Sequence, residues 1–287
     1  MAELRIGTCS WKYDSWRGLV YSDRKQLNYL EEYSKIYNTV EIDQWFWSLF
    51  GEDKVSLPSP FIVQEYADSV PENFRFTVKI PNSVTLTHFY KKTKTDSLVK
   101  NPHFLSVDLF DQFLKSLQPL RRNLGPLMFQ FEYLNKQKMS SQGEFQERFA
   151  AFIEQVDSNY DYLIEIRNPN YLNQNYFRFL NTIGLGHVFL QGYYMPSITD
   201  IYQKYSEYIQ DLTVIRLHGP DRSHIEKKSK GNWNRIFESK AEEMKIIAEM
   251  ITDLLERKLD VYVNMNNHYE GSAPLSIQRL KKLIDGE

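Results

Sequence analysis

Short apolar runs that end in charged or amide side chains recur along this chain. The segment Tyr162–Arg167 (YLIEIR) shows the arrangement most clearly. Because a β-strand alternates its faces with a period of two, Leu163, Glu165 and Arg167 would share one face, and the intervening tyrosine and isoleucines the other. The same arrangement, with the polar residues at the C-terminal end, returns in four further segments: Thr39–Asp43, Arg75–Lys79, Val214–His218 and Val261–Asn267. This repetition predicts a barrel with a polar mouth.

Eight strand–helix alternations follow one another without a linker or a change in composition. The predicted strands are Leu4–Thr8, Thr39–Asp43, Phe74–Ile80, Pro126–Phe131, Tyr162–Arg167, His187–Gln191, Leu212–His218 and Asp260–Asn266. An apolar stripe of helical period follows each strand, and the weakest of these stripes lies around Phe61–Val70. The alternation favours an α/β fold, a (β/α)8 TIM barrel that forms a single domain over residues 1–287, rather than a doubly wound sheet.

Strand parity separates the residues that would face the barrel interior from those that would face the helices. The inward set predicted in this way is Gly7, Cys9, Glu41, Asp43, Thr77, Lys79, Met128, Gln130, Glu165, Arg167, Phe189, Gln191, Arg216, His218, Asn264 and Asn266. The alternate positions are mostly Val, Ile, Leu and Phe. Polar residues would therefore gather at the C-terminal mouth, where TIM barrels place their active sites.

Composition excludes several classes of protein. The 35 Lys and Arg residues balance 37 Asp and Glu residues, and the net charge of -2 gives no global field for nucleic acid or a membrane surface. Cys9 is the only cysteine, which excludes an intrachain disulfide and fits a reducing compartment. No apolar run approaches the roughly 20 residues that span a bilayer, and Met1 leads directly into a predicted strand. We therefore expect a cytoplasmic protein without membrane segments.

Several motifs spread over nearly the whole chain resemble those of one family. They are GTCSW at Gly7–Trp11 with Trp16, NTVEID at Asn38–Asp43, FRFTVKIP at Phe74–Pro81 with Thr87-His88, LGPLMFQF at Leu124–Phe131, EIRNP at Glu165–Pro169, RLHG at Arg216–Gly219 and NNHYEGSAP at Asn266–Pro274. Together they resemble the domain of unknown function 72 (YecE-like) family. The resemblance implies a TIM-barrel fold and no settled activity. Two positions depart from the family pattern, with Ser10 in place of glycine and Asp43 in place of asparagine.

The predicted mouth carries three acidic and three basic side chains. Glu41, Asp43 and Glu165 oppose Lys79, Arg167 and Arg216, so the set contains candidates for general acid–base catalysis and for holding an anion. A self-neutralising ion network, which lets a barrel hold polar groups, is the alternative interpretation. The network and a site are compatible with each other, and the sequence leaves both open.

Metal binding is a further hypothesis for this mouth. His218, Glu41, Asp43 and Glu165 have suitable ligand types and would converge from different strands. No HExxH, paired-histidine or CxxC spacing supports them, and no elbow motif supports a serine nucleophile. The cofactor therefore stays unknown, with a divalent metal left open.

Tryptophans and basic residues concentrate in the predicted loops that follow the strands. All five tryptophans lie there, at Trp11, Trp16, Trp45, Trp47 and Trp233, and such rings suit stacking on a base or a sugar unless they only plug the barrel. The third loop contains Lys91, Lys92, Lys94 and Lys100, and the seventh contains Arg222, Lys227, Lys228 and Lys230. Gly271 and Ser272 open the last helix, whose free N–H groups would suit a phosphate.

These features predict an enzyme that uses the barrel mouth, a hydrolase or an isomerase acting on an anionic, phosphate-containing ligand such as a nucleotide, nucleic-acid end or sugar phosphate. Glu165 or Glu41 would be the general base, His218 or His88 an acid or ligand, and Arg167, Arg216 and Lys79 the anion clamp. The predicted ligand-binding residues are Trp11, Trp16, Asp43, Gln130, Asn266, Asn267, Gly271 and Ser272. A non-catalytic nucleic-acid or metabolite binding protein and a carbohydrate-active enzyme are the alternatives. The oligomeric state is left open.

Overall fold

Eight parallel strands close into one barrel, as the sequence predicts. The computed structural model describes residues 2–51, 54–91, 93 and 95–286. Around the barrel each strand pairs with its neighbours in chain order, and the last pairs with the first. The strands β1 to β8 are Leu4–Thr8, Thr39–Ile42, Arg75–Lys79, Leu124–Phe131, Tyr162–Ile166, Gly186–Gly192, Leu212–Gly219 and Asp260–Met265. The (β/α)8 prediction is thus confirmed.

Helices lie between the strands and cover the outside of the barrel. In chain order, α1 to α10 are Tyr29–Ser34, Pro60–Asp68, Asn82–Thr85, Val107–Ser116, Gln142–Ile153, Gln174–Ile183, Ile198–Tyr205, Arg222–Ser229, Ala241–Glu256 and Ala273–Ile284. Short 3-10 turns are Asp14–Trp16, Gln44–Phe46, Gln118–Asn123, Pro169–Tyr171 and Ser206–Tyr208. No helix in the described part of the chain is both long enough and apolar enough to span a bilayer.

Side-chain caps define where several helices begin. Ser106 accepts a hydrogen bond from the N–H of Leu109 at the start of α4, and Asn173 accepts one from the N–H of Tyr176 at the start of α6. Each cap satisfies an N–H group that lacks a partner within the helix. At its other end α6 stops at Gly184, which has φ 67°. The local sequence therefore sets these boundaries.

The barrel interior below the mouth is a small apolar core. Met128, Leu163, Val188, Val214 and Tyr262 pack together there, while a larger core fills the space between the strands and the helices. This inner core closes the N-terminal end of the barrel, so the polar residues above it lie at one end only.

The predicted inward face of β6 is wrong. Val188 and Leu190 face the interior, since they pair with Val214 and Arg216 of β7. Phe189 instead packs against Tyr202, and Gln191 donates to Glu243 at 2.7 Å. Apolar residues occupy both faces of this strand, as is usual for buried parallel strands, so alternation did not reveal its orientation.

The elements of the loops that were not predicted include α3, a further helix and a hairpin. The basic stretch after β7 forms helix α8, capped by Asp221, although its charged sequence shows no apolar stripe. A hairpin that pairs Leu49–Gly51 with Lys54–Val55 follows β2. α8 and the hairpin lie on the mouth side of the barrel, where they shape the surface around the polar residues.

We predict that Gly7→Ala destabilises the barrel, because a Cβ at Gly7 would lie 1.9 Å from the carbonyl oxygen of Thr39. Overpacking of this kind costs about 1–3 kcal/mol of unfolding free energy. The matched control is Gly143→Ala in the first turn of α5, where the nearest atom is 3.7 Å away and alanine should cause no loss of stability. Denaturant melts of the two variants measure both effects, and an unchanged Gly7→Ala midpoint would contradict the close strand approach.

Candidate functional site

Arg216 of β7 is the centre of the polar residues in the barrel. Its Nε and Nη2 atoms donate to the two carboxylate oxygens of Glu41 on β2, each at 2.7 Å. Its Nη1 donates to Glu165 on β5. All three side chains are fully buried. A single guanidinium thus links two carboxylates that come from separate strands.

Gln130 and Arg167 extend this network toward the mouth. Arg167 Nε donates to Glu165 at 2.9 Å, and Arg167 Nη2 donates to the Gln130 carbonyl oxygen at 3.1 Å. The guanidinium of Arg167 also lies 4.9 Å from the ring centre of Tyr193. Because Arg167 is only partly buried, it connects the buried ion pairs with solvent.

The network keeps Glu165 and Arg216 charged. Burial alone would raise the pKa of Glu165, but Arg216 and Arg167 hold it at about 2. Burial likewise opposes the charge on Arg216, yet Glu165 and Glu41 raise its pKa well above the usual value. Glu165 is therefore a poor proton acceptor near neutral pH. Both oxygens of Glu41 accept from Arg216, so the geometry does not favour the prediction of either glutamate as general base.

Asp43 and Lys79 lie above the network and have altered protonation. Burial and the charge of Glu41 raise the pKa of Asp43 to about 6. Burial and the charge of Arg216 lower the pKa of Lys79 to about 8. Lys79 Nζ lies 4.0 Å from the Phe46 ring centre and forms no ion pair with the described part of the chain. Neither side chain is hydrogen-bonded to Arg216, so both can interact with a ligand.

His218 is a neutral imidazole in this site. Its Nε2 lies 3.5 Å from Cys9 Sγ, and its Nδ1 lies 3.3 Å from the hydroxyl of Tyr193. Burial, followed by the charges of Arg216 and Arg167, lowers the pKa of His218 far below its usual value. Burial and Glu41 raise the pKa of Cys9, so its sulfur stays a thiol and is not an activated nucleophile.

The predicted phosphate cradle at the last helix is closed in the structure. Gly271 and Ser272 are buried, and a Cβ at Gly271 would lie 2.4 Å from the ring of Phe237. The N–H of Ala273 already donates to Asn267 Oδ1 at 2.9 Å. The expected open helix terminus is therefore corrected to a packed one. Asn266 Oδ1 likewise accepts from the backbone N–H of His268.

The burial of the tryptophans differs from the prediction that they offer their rings to a ligand. Trp16 is 0% exposed and Trp11 is 6% exposed, and they pack against Tyr21 and Tyr66 respectively. Neither offers a free face to a ligand, which corrects their predicted stacking role. Trp45 and Trp233 are also buried, whereas Trp47 is 59% exposed. Trp47 is thus the tryptophan that a ligand can reach.

His88 lies apart from the Arg216 network. Its Nδ1 is 3.0 Å from Thr87 Oγ1, and burial together with the charges of Lys138 and Lys100 lowers its pKa. None of the contacts described for His88 involves Arg216 or Glu165. The structure therefore does not bring this predicted acid to the centre of the mouth.

The basic loops are partly neutralised. Arg222 donates to Glu226 at 2.8 Å, and Lys228 pairs with Glu238. Lys91 is exposed in the third loop, while the predicted contributions of Lys92 and Lys94 lie outside the described residues. The expected joint positive field of these loops is consequently weaker than the sequence suggested.

A metal site is not assembled by the described residues, which contain no group of three His, Cys, Asp or Glu side chains placed around one ion position. Glu41 and Glu165, two of the predicted ligands, are turned toward Arg216. These two glutamates thus form ion pairs with Arg216 in place of the metal contacts that the sequence left open.

Tyr193 is the main site residue that the prediction missed. It follows Gly192, which has φ 133°. A Cβ added at Gly192 would lie 2.3 Å from the carbonyl oxygen of Gly219. The close approach of these two glycines ends the regular pairing of β6 and β7. Tyr193 then lies over Arg167 and beside His218. A glycine at the end of each of these two strands was the available signal.

Comparison with known proteins agrees with this architecture. The family model described as protein of unknown function DUF72 matches residues 5–287. The chain belongs to the DUF72 family. The DUF72 family protein of known structure from Thermotoga maritima MSB8 is 22% identical, with 99% of each chain covered and a TM-score of 0.69. One from Enterococcus faecalis V583 is 19% identical over 98% of this chain and 95% of its own, also with a TM-score of 0.69.

At these identities the two DUF72 structures show that the fold is shared. A comparison with curated protein sequences found no match. The side chains of this DUF72 protein therefore carry the information about its function.

We predict that Arg216→Met lowers the unfolding free energy by about 3–5 kcal/mol at pH 7, because buried Glu41 loses the guanidinium that binds both its oxygens and Glu165 is left with Arg167 alone. In the wild-type protein Glu165 stabilises the fold at pH values above the ordinary glutamate pKa of 4.5, and this contribution is lost only as the pH falls toward about 2. In the variant Glu165 loses the charge that lowers its pKa most, so it should take up a proton at higher pH. The difference in stability between the two proteins should thus shrink from pH 7 to pH 5.

Denaturant melts at several pH values test this expectation. Arg148→Ala is the control, since its exposed pair with Glu144 at 3.3 Å should contribute only about 0–1 kcal/mol. Equal midpoints for Arg216→Met and wild type would argue against an ion network that supports the barrel.

Proposed function

We propose that this protein is an enzyme whose barrel mouth binds a small anionic, phosphate-containing ligand and transfers a proton, as a hydrolase or an isomerase. One observation carries the proposal. Asp43 and Lys79 lie together above the buried network, and their pKa values are moved toward neutrality, to about 6 and about 8. Pairs of groups displaced in this way are typical of acid–base sites.

Lys79 and Arg167 are the proposed anion-binding groups. Lys79 has no carboxylate partner in the described part of the chain, and Arg167 is partly exposed above Glu165. Two cations of fixed position, set in a partly buried mouth, favour an oxyanion more strongly than the same charges would in bulk water. Arg216 is excluded from this role because Glu41 and Glu165 surround it.

Asp43 is the proposed general base. With a pKa near 6 it is mostly ionised at neutral pH, yet it holds a proton readily enough to return it. It would take a proton from water in a hydrolysis or from the substrate in an isomerisation, and it would then donate that proton to the product. Lys79 and Arg167 would stabilise the negative charge that develops in the transition state.

We expect Lys79→Met to weaken the binding of sulfate, a probe whose charge is constant over the useful pH range, by about tenfold or more. Wild-type affinity should fall as the pH rises through about 8, since Lys79 then loses its proton. Lys79→Arg should keep binding sulfate at pH 9. Calorimetric titration measures all three proteins, with Lys91→Met as the exposed-lysine control. Equal affinity of Lys79→Met and wild type would reject this anion site.

A panel of sugar phosphates and phosphate esters, followed by phosphorus and proton NMR, tests turnover. We expect release of phosphate or isomerisation of one class of compound, and Asp43→Asn should slow that reaction by about 10²–10⁴-fold while sulfate still binds. Binding across the panel without any conversion would overturn the enzymatic proposal and favour a binding protein.

A further inference from the structure

An exposed tryptophan lies at the rim of the mouth and is not used by the mechanism above. Trp47 follows the turn Gln44–Phe46 after β2, in which Trp45 and Phe46 are buried, and it is 59% exposed. The exposed ring of Tyr90, from the loop after β3, lies beside it with 6.1 Å between ring centres. Large aromatic side chains left in water are informative, because burying them would favour folding.

Trp47 is held in this position by its neighbours. The N–H of Ser48 donates to Asn82 Oδ1 at 3.0 Å, and the hydroxyl of Ser48 donates to that of Ser83 at 2.8 Å. The N–H of Leu49 also donates to Asn82 Oδ1. The backbone on the C-terminal side of Trp47 is therefore anchored to α3. A fixed backbone that presents an exposed indole loses little conformational entropy on binding a ligand.

The two exposed rings are continuous with the proposed anion site. Trp47 contacts Phe46 at 5.1 Å between ring centres, and Lys79 Nζ lies 4.0 Å from that same Phe46 ring. Burial and the charge of Glu132 raise the pKa of Tyr90, and the charge of Arg167 opposes this shift. One ligand can therefore contact the rings and the cations together.

The geometry points to a ring-binding subsite formed by Trp47 and Tyr90, so that the ligand of this mouth is an anion joined to a flat aromatic ring, as in a mononucleotide. This inference rests on the proposed function, because it assigns the anionic group to Lys79 and Arg167. The inference adds the substrate class to that function. The substrate would carry an aromatic ring together with its phosphate, unlike a simple sugar phosphate or an inorganic anion.

Stacking of one base on an aromatic side chain typically strengthens binding by about tenfold or more. Wild type should therefore bind adenosine 5′-monophosphate at least about tenfold more tightly than ribose 5-phosphate, and inorganic phosphate more weakly again. Adenosine alone should bind weakly, because it cannot engage Lys79 and Arg167. Four of the five tryptophans are buried, so quenching of Trp47 should dominate the fluorescence change.

Calorimetric titration of adenosine 5′-monophosphate, ribose 5-phosphate, adenosine and inorganic phosphate tests the inference. Trp47→Ala should remove the preference for the monophosphate over ribose 5-phosphate, while Trp47→Phe, which keeps a ring, should retain most of it. Phe61→Ala is the control, since Phe61 is 69% exposed on α2 and has no ring contact with any described residue. Trp47→Ala should leave the affinity for inorganic phosphate unchanged.

The outcomes separate the two proposals. Equal affinity of wild type for the monophosphate and ribose 5-phosphate, with loss of both in Lys79→Met, would reject the ring subsite and keep the anion site. Tighter binding of ribose 5-phosphate than of adenosine 5′-monophosphate would indicate that the ligand carries a sugar in place of an aromatic ring. Adenosine bound as tightly as its monophosphate, with no effect of Lys79→Met, would reject the anion site on which this inference rests.

Discussion

The pairing of Arg216 with Glu41 and Glu165 is the interaction on which the centre of this barrel depends. A buried guanidinium or carboxylate without a partner is strongly destabilising, so Arg216 stabilises both glutamates and they stabilise it. Their strands lie at separate positions around the barrel, and the contacts form only when the sheet is closed with the observed register. The ion network and the closed barrel are therefore mutually dependent.

This network also determines which groups at the mouth are available for chemistry. Arg216 donates hydrogen bonds to the carboxylates of Glu41 and Glu165. The electric field of these three charges acts on the side chains above them. Asp43 is destabilised as an anion by burial and by Glu41, and Lys79 is destabilised as a cation by burial and by Arg216. The deeper charges are thus paired with one another, while the pKa values of the outer pair are moved toward neutrality.

The rim of the mouth carries exposed aromatic rings. Trp11, Trp16, Trp45 and Trp233 are part of the packing between loops and barrel, whereas Trp47 projects into solvent beside Tyr90. Phe46 lies between this exposed pair and Lys79, with contacts to both sides. Apolar ring surface and positive charge are consequently adjacent, which is the combination that a ring-bearing anion requires.

The sequence alone determined the eight strands, the polar C-terminal ends and the inward positions of Glu41, Glu165, Arg167 and Arg216, because period-two alternation is a local property of the chain. Tertiary structure decided what alternation does not encode. Phe189 faces the helices because both faces of β6 are apolar, and Gly271 lies under Phe237 because distant loops pack there. The same packing buried Trp16 and exposed Trp47, and the ion pair with Arg216 lowered the pKa of Glu165. Burial and ion pairing depend on residues far apart in the chain, so they are established only when the barrel closes.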